Sequence, residues 1–328
     1  MRDRRFSVVL VLLLALLVVA SPARAQGERT VFDQVLDLYK AHDLVLLGEQ
    51  HDRRLNFEFR MALLKHPKFA ATVQDIYIEC ANSRYQQVLD DFVLKLHDVP
   101  AEKLRDVWRN TTMPTGVWDS PIYEEFIRAV RSVNASLRQD KRIRLVAGDP
   151  PIDWSAVTLP EQFAPFLEQR DETAYTAIEK ESLQKRRKAL VIYGSGHLLS
   201  RKLSGHHSIG SYLREKYPGR AYTIFPLSAA HRPVDEFQAL TGIRTAPTLL
   251  ELAGSELGRL PAHKLLGPNP LDAPAGDQMD AILYLGSGAD EVIPATADVV
   301  NDTVYQNERK RRLDLMMKAA PQGLPPKK

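Results

Sequence analysis

The sequence predicts an α/β fold, a mostly parallel sheet covered by helices on both faces, with a helical insertion after the second strand. Two observations carry this. Six short apolar runs are nearly continuous rather than alternating, the pattern of strands buried on both faces. Stretches with helical spacing separate them, as parallel strands require. Composition agrees: 328 residues with 44% hydrophobic and 26% charged residues are those of a globular protein. No repeat with a period of roughly 20–50 residues is present, which sets aside solenoids and propellers.

The first 25 residues stand apart. Arg2, Arg4 and Arg5 precede a 13-residue apolar run, Val8 to Ala20, and Ser21-Pro22-Ala23-Arg24-Ala25 follows. The run is short of the roughly 20 residues of a membrane span and ends in a peptidase-type Ala-x-Ala. Residues 1–25 therefore read as a signal peptide cut after Ala25, and the mature protein as periplasmic or secreted with no stable membrane span. Cleavage removes four of 44 basic and one of 41 acidic residues, leaving 40 of each. A formally neutral chain gives no reason to expect nucleic acid as a partner. Cys80 is the single cysteine, so no intrachain disulfide forms and packing alone holds the fold.

Residues 26–320 read as one α/β domain. Thr30 can cap a helix through Tyr39. Leu44–Leu47 is the first strand, and Leu55, Phe59, Ala62 and Leu63 mark a helix that His66-Pro67 stops. Ile76–Ile78 is the second strand. The 61 residues 81–141 that follow exceed what one crossover helix needs; they hold helical patterns at 84–97, 101–109 and 121–138, read as a cap carrying Trp108, Trp118 and Tyr123. Ser120-Pro121 starts the last of these. Ile143–Ala147, Ala189–Tyr193, Tyr222–Phe225 and Ile282–Leu285 complete the strands. Residues 229–280, rich in proline, read as mostly irregular with one short helix near 248–258. Asn301–Ala320 reads as a charged surface helix, and 321–328 as a flexible tail.

Ligands of an open parallel sheet bind beyond the carboxyl ends of its strands, so polar residues there matter most. Glu49 and His51 follow the first strand, Glu79 the second, Asp149 the third and His197 the fourth. Gly48-Glu49-Gln50-His51 and Gly194-Ser195-Gly196-His197 share a pattern in which Gly, taken at positive φ, turns the chain so that the His faces the sheet edge. Asn82 and Arg84 follow Glu79 and, with Asp149 before two prolines, are candidate substrate-binding residues.

Val45-Leu46-Leu47-Gly48-Glu49-Gln50-His51-Asp52, a Glu closing the next strand and a late Gly-x-x-His together resemble the superfamily of ChaN-like haem-uptake proteins, erythromycin esterases, TraB proteins and Tiki proteases. Glu79–Gln86 and Gly148–Trp154 are similar to an uncharacterised secreted bacterial branch of it. The resemblance implies functional residues at His51, Glu49, Glu79 and His197. It implies different chemistry by branch: metal-free hydrolysis in the esterases, a divalent metal in the Tiki members, haem in ChaN.

The residues themselves favour water as nucleophile. No Gly-x-Ser-x-Gly elbow is present, and Glu79 disfavours a Cys80 thiolate. A neutral His can take a proton from water near pH 7 while a carboxylate orients it. The same His51, His197 and Glu79 can instead hold Zn, Mn or Co around an open position. Two functions follow: hydrolysis of an ester, lactone or amide in a small-molecule or peptide substrate, or non-catalytic binding of haem or metal. Expressed in a host that exports it, the chain should begin at Gln26; intact mass spectrometry checks this, and a retained Met1 would contradict it.

Overall fold

The computed structural model describes residues 29–200, 207–228, 234–266, 273–288 and 290–319. The expected signal peptide and tail lie outside them. Among the described residues no helix is long and apolar enough to cross a membrane.

Seven strands form one sheet in the order β3-β2-β4-β1-β5-β7-β6: β1 Leu44–Glu49, β2 Asp75–Asn82, β3 Arg144–Asp149, β4 Ala189–Gly194, β5 Ala221–Ser228, β6 Thr248–Glu251 and β7 Ala281–Gly286. All neighbouring pairs are parallel except β6 with β7. Alternate side chains enter two different cores, which is why the apolar runs do not alternate with polar residues. Val45, Leu47, Ile76, Ile78, Leu190 and Ile192 pack under the helices of one face, among them Arg54–Leu64, Ala101–Arg109 and Pro121–Ala135. Leu44, Leu46, Tyr77, Val191 and Tyr193 pack on the other face against Arg170–Ile178 and Ile209–Lys216. Burial of this kind, about 25 cal/mol per Å² of apolar surface, is the main stabilising term in a chain with no disulfide.

The connection after β2 is helical, as its length requires. Its helices, however, join the layer on the first face, where Ile122, Phe126, Ile127 and Val130 are buried. Asn134, fully buried, donates to the carbonyls of Val93 and Ile143 and accepts from the Ile143 N–H, tying the insertion to the start of β3. The link between helices, residues 110–120, and Tyr123 at the start of the last helix reach the strand ends.

Two expectations are corrected. Thr248–Glu251 is an antiparallel edge strand and the helix begins at Glu256, so 229–280 is less irregular than its prolines suggest. Four residues bear little periodicity, and pairing with β7 decides their state. The glycines before the two His loops do not supply positive φ: Gly194 has φ −46, and neither Gly48 nor Gly194 is among the left-handed residues. They supply room. A Cβ on Gly194 would lie 2.9 Å from His51 Nε2 and 3.2 Å from Glu79 Oε2.

Gly148 serves the same purpose within β3, where an added Cβ would overlap the buried Tyr193 hydroxyl. Gly148→Ala should therefore destabilise by about 1–3 kcal/mol, the range for overpacking a filled core. Urea denaturation measures it, and an unchanged midpoint would contradict the packing described.

Candidate functional site

Glu49 ends β1, Glu79 lies in β2, Asp149 ends β3, and His197 lies in the single helical turn Ser195–Leu198 after β4. His51 follows Glu49 by two residues. Asp52 then takes φ 55, a left-handed conformation that Asp tolerates, and its N–H donates to the Tyr123 hydroxyl at 3.0 Å. This turn fixes the direction of His51. Its imidazole meets the Trp118 ring edge-on at 4.7 Å, and Trp118 meets Tyr123 likewise at 4.9 Å. Two of the three aromatics of the expected cap thus form a wall beside His51. Trp108 is buried in the adjoining core.

Glu79 is the centre of the cluster. One oxygen, Oε1, receives Arg170 Nη2 at 2.6 Å and lies 3.5 Å from His197 Nε2; the other, Oε2, receives the Gly194 N–H at 2.6 Å and lies 3.8 Å from His51 Nε2. Burial alone would raise its pKa. The charges of His197, His51 and Arg170 outweigh that, together with the Gly194 hydrogen bond, and hold it down at about 2. Glu79 is an anion at any ordinary pH.

His51 sits between two carboxylates, with Nδ1 3.8 Å from Glu49 Oε1 and Nε2 3.8 Å from Glu79 Oε2. Both separations exceed a hydrogen bond. Burial would push the imidazole pKa down; the Glu79 charge, then Glu49, turns the net shift upward. Glu49 is itself fixed by Arg60 Nη1 at 2.8 Å, which with His51 holds its carboxyl below the usual range against the cost of burial. His197 donates from Nδ1 to Asp171 Oδ1 at 2.5 Å. Its pKa too is raised, since Glu79 and Asp171 outweigh burial.

The side chains of His51 and His197 are 31% and 27% exposed, whereas those of Glu49 and Glu79 are 6% and 3%. The imidazoles are thus the more exposed groups of the cluster, and the carboxylates lie behind them.

The residues expected to bind substrate have other duties. Asn82, fully buried, donates to the carbonyls of Asn110 and Ile152 and accepts from the Arg84 N–H. Asp149, 2% exposed, accepts from the Thr112 N–H at 2.7 Å and the Thr112 hydroxyl at 2.5 Å, with Arg170 Nε 3.7 Å away. Burial raises its pKa to about 7. Both residues brace the strand ends to the insertion and offer no free polar atom to a substrate. Arg84 is half exposed and pairs with Asp153 at 2.7 Å, outside the cluster.

Sequence reasoning missed Arg60, Thr112, Arg170 and Asp171. A signal existed for two of them. Asn56, Phe59, Arg60, Leu63 and Leu64 form the buried stripe of one helix, and Arg170, Ala174, Tyr175 and Ile178 that of another. A cation on an apolar stripe needs a buried anion, and the sheet edge supplies it.

The donor set bears on a metal. Glu79 already accepts from a guanidinium and an N–H, and Glu49 is paired with Arg60. Among the described residues no group of three His, Cys, Asp or Glu is arranged to hold a metal ion. Two buried guanidiniums already supply the positive charge that the carboxylates need. We assign none of these side chains as a metal ligand.

Three solved structures resemble the chain over 78–80% of its length. An erythromycin esterase variant in an open conformation aligns with a TM-score of 0.55 and 11% identity over 80% of this chain and 95% of its own. The chain shares its fold with an erythromycin esterase. A succinoglycan biosynthesis protein aligns with a TM-score of 0.56 and 10% identity over 78% of this chain and 90% of its own. A Bacillus cereus protein does so at 0.52 and 11% over 78% and 91%. No protein-family profile matches the chain, and no curated protein is similar to it in sequence. Identities of this order carry the fold, and the chemistry has to be argued from the residues.

Removing the Glu79 charge leaves Arg170 buried without its partner, so Glu79→Gln should cost about 3–5 kcal/mol at pH 7. The folded-state pKa near 2 lies below the ordinary 4.5, so this stabilisation is complete above about pH 4.5 and is lost as pH falls toward 2. Thermal unfolding from pH 7 to pH 2 should show the gap between wild type and variant closing. A gap independent of pH would contradict the pairing.

Proposed function

We propose that the protein is a hydrolase that activates water with His51 at the carboxyl edge of the sheet and cleaves an ester or lactone without a metal. The observation that carries this is the position of His51. It is a partly exposed imidazole between two buried carboxylates, each 3.8 Å away and neither hydrogen-bonded to it.

Each residue has a task. A water held between His51 Nε2 and Glu79 Oε2 loses its proton to Nε2 as its oxygen attacks the carbonyl carbon. Glu79 orients the water and stabilises the imidazolium as it forms. Glu49, fixed by Arg60, does so from the Nδ1 side. Trp118 and Tyr123 hold the ring in position and exclude bulk water from one flank. An esterase among the proteins of the same fold supports this reading. Export to the periplasm or beyond, which the first 25 residues suggest, fits an enzyme acting on an external small molecule.

The test is a panel of esters and lactones assayed with purified mature protein. His51→Gln should lower kcat by about 10²–10⁴-fold with KM little changed, as for loss of a general base. Because both carboxylates raise the His51 pKa, kcat/KM should increase with pH to a midpoint above the ordinary 6.5, and Glu49→Gln should move that midpoint down. EDTA should leave turnover intact. Loss on EDTA that Zn, Mn or Co restores would favour a metal mechanism instead, and a Soret shift on haem titration would favour the binding function.

A further inference from the structure

Resting on the hydrolase reading, we propose that Asp171 is a positioning residue that keeps His197 doubly protonated, making His197 the general acid that protonates the leaving group while His51 acts as base. The geometry separates the two imidazoles although they share one carboxylate. Asp171 Oδ1 lies 2.5 Å from His197 Nδ1, and Glu79 Oε1 lies 3.5 Å from Nε2. Carboxylates only accept hydrogen bonds, so a proton on each ring nitrogen is the arrangement without a lone pair turned against an anion. His51 has no carboxylate within hydrogen-bond distance. Its nearest carboxylate oxygens are 3.8 Å away on either side, and its Nδ1 has no hydrogen-bond partner. It is the imidazole that can be neutral.

Of the charged groups facing His197, two favour the cation and one opposes it. Glu79 faces it from β2 and Asp171 from the helix Arg170–Ile178, and both favour the cation; Arg170, next to Asp171, opposes it but is bound to Glu79. The Tyr193 ring stands 6.2 Å away. Asp171 stands in the first turn of its helix, where that helix also delivers Arg170. Two consecutive residues thus set the charges around Glu79 Oε1.

The step balances. Water attacks the carbonyl carbon and gives one proton to His51 Nε2, and the carbonyl π pair moves onto oxygen. As the tetrahedral intermediate collapses, the carbon–oxygen bond to the leaving group breaks, and His197 Nε2 gives that oxygen its proton. The carboxylic acid and alcohol leave. His51 then loses a proton to solvent and His197 regains one, so the enzyme returns to its starting state.

General acid catalysis matters in proportion to the basicity of the leaving group, which gives the test. Wild type, Asp171→Asn and His197→Gln are assayed on methyl butyrate and p-nitrophenyl butyrate. Asp171→Asn should lose about 100-fold in kcat on the methyl ester and only about tenfold on the p-nitrophenyl ester, His197→Gln showing the same bias. In parallel, NMR titration of His197 should show its pKa falling by about one unit in Asp171→Asn, a readout independent of turnover. Equal losses on the two esters, or an unmoved His197 titration, would overturn the acid role and leave the hydrolase intact. A wild type that cleaves no ester or lactone overturns the hydrolase reading and the acid role with it.

Discussion

The buried pairing of Glu79 with Arg170 is the interaction on which the site depends. An isolated carboxylate as deep as Glu79 would take up a proton and lose its use as an anchor. Arg170 and the Gly194 N–H hold it ionised. Each of its oxygens then faces one imidazole, and that fixed negative charge gives both histidines their raised basicity. A second buried pair, Arg60 with Glu49, repeats the device on the far side of His51. The two guanidiniums supply fixed positive charge to the two buried carboxylates.

Much of the architecture was legible because it rests on local patterns. Six of the seven strands announce themselves as apolar runs, and Pro121 and the stripe from Ile122 to Val130 declare a helix. The position of β6 was not legible, since its four residues become a strand through their neighbour β7. At the site, Glu49, His51, Glu79 and His197 stand out because strand ends converge in a parallel sheet. Asn82, Arg84 and Asp149 stand out equally, and nothing in the sequence separates a residue that faces the crevice from one that braces it. Asn82 and Asp149 hold the insertion; Arg84 stays with Asp153 at the surface. Asp171 was invisible for a different reason. It is an ordinary acidic residue in the first turn of a helix, and its significance comes wholly from where that helix is placed.

The glycines carry a related lesson. Their recurrence before each His suggested a turn, yet backbone freedom is not what those positions use. Gly194 is needed because the imidazole of His51 and the carboxylate of Glu79 lie where a side chain would go. The spacing of Gly and His records close packing between neighbouring strands rather than a shape of the chain.

The segments that build the site have a bearing on the order of folding. Glu79 meets Arg170 across 91 residues and the Gly194 N–H across 115. Contacts so distant in the chain form late, because each must first bear the entropy of closing a long loop. Until Arg170 arrives, burying Glu79 is unfavourable, and that strand end stays solvated. The helix Arg170–Ile178 therefore acts as a gate on completion of the sheet edge. A partly folded state without this helix would keep Glu79 hydrated and that edge of the sheet open.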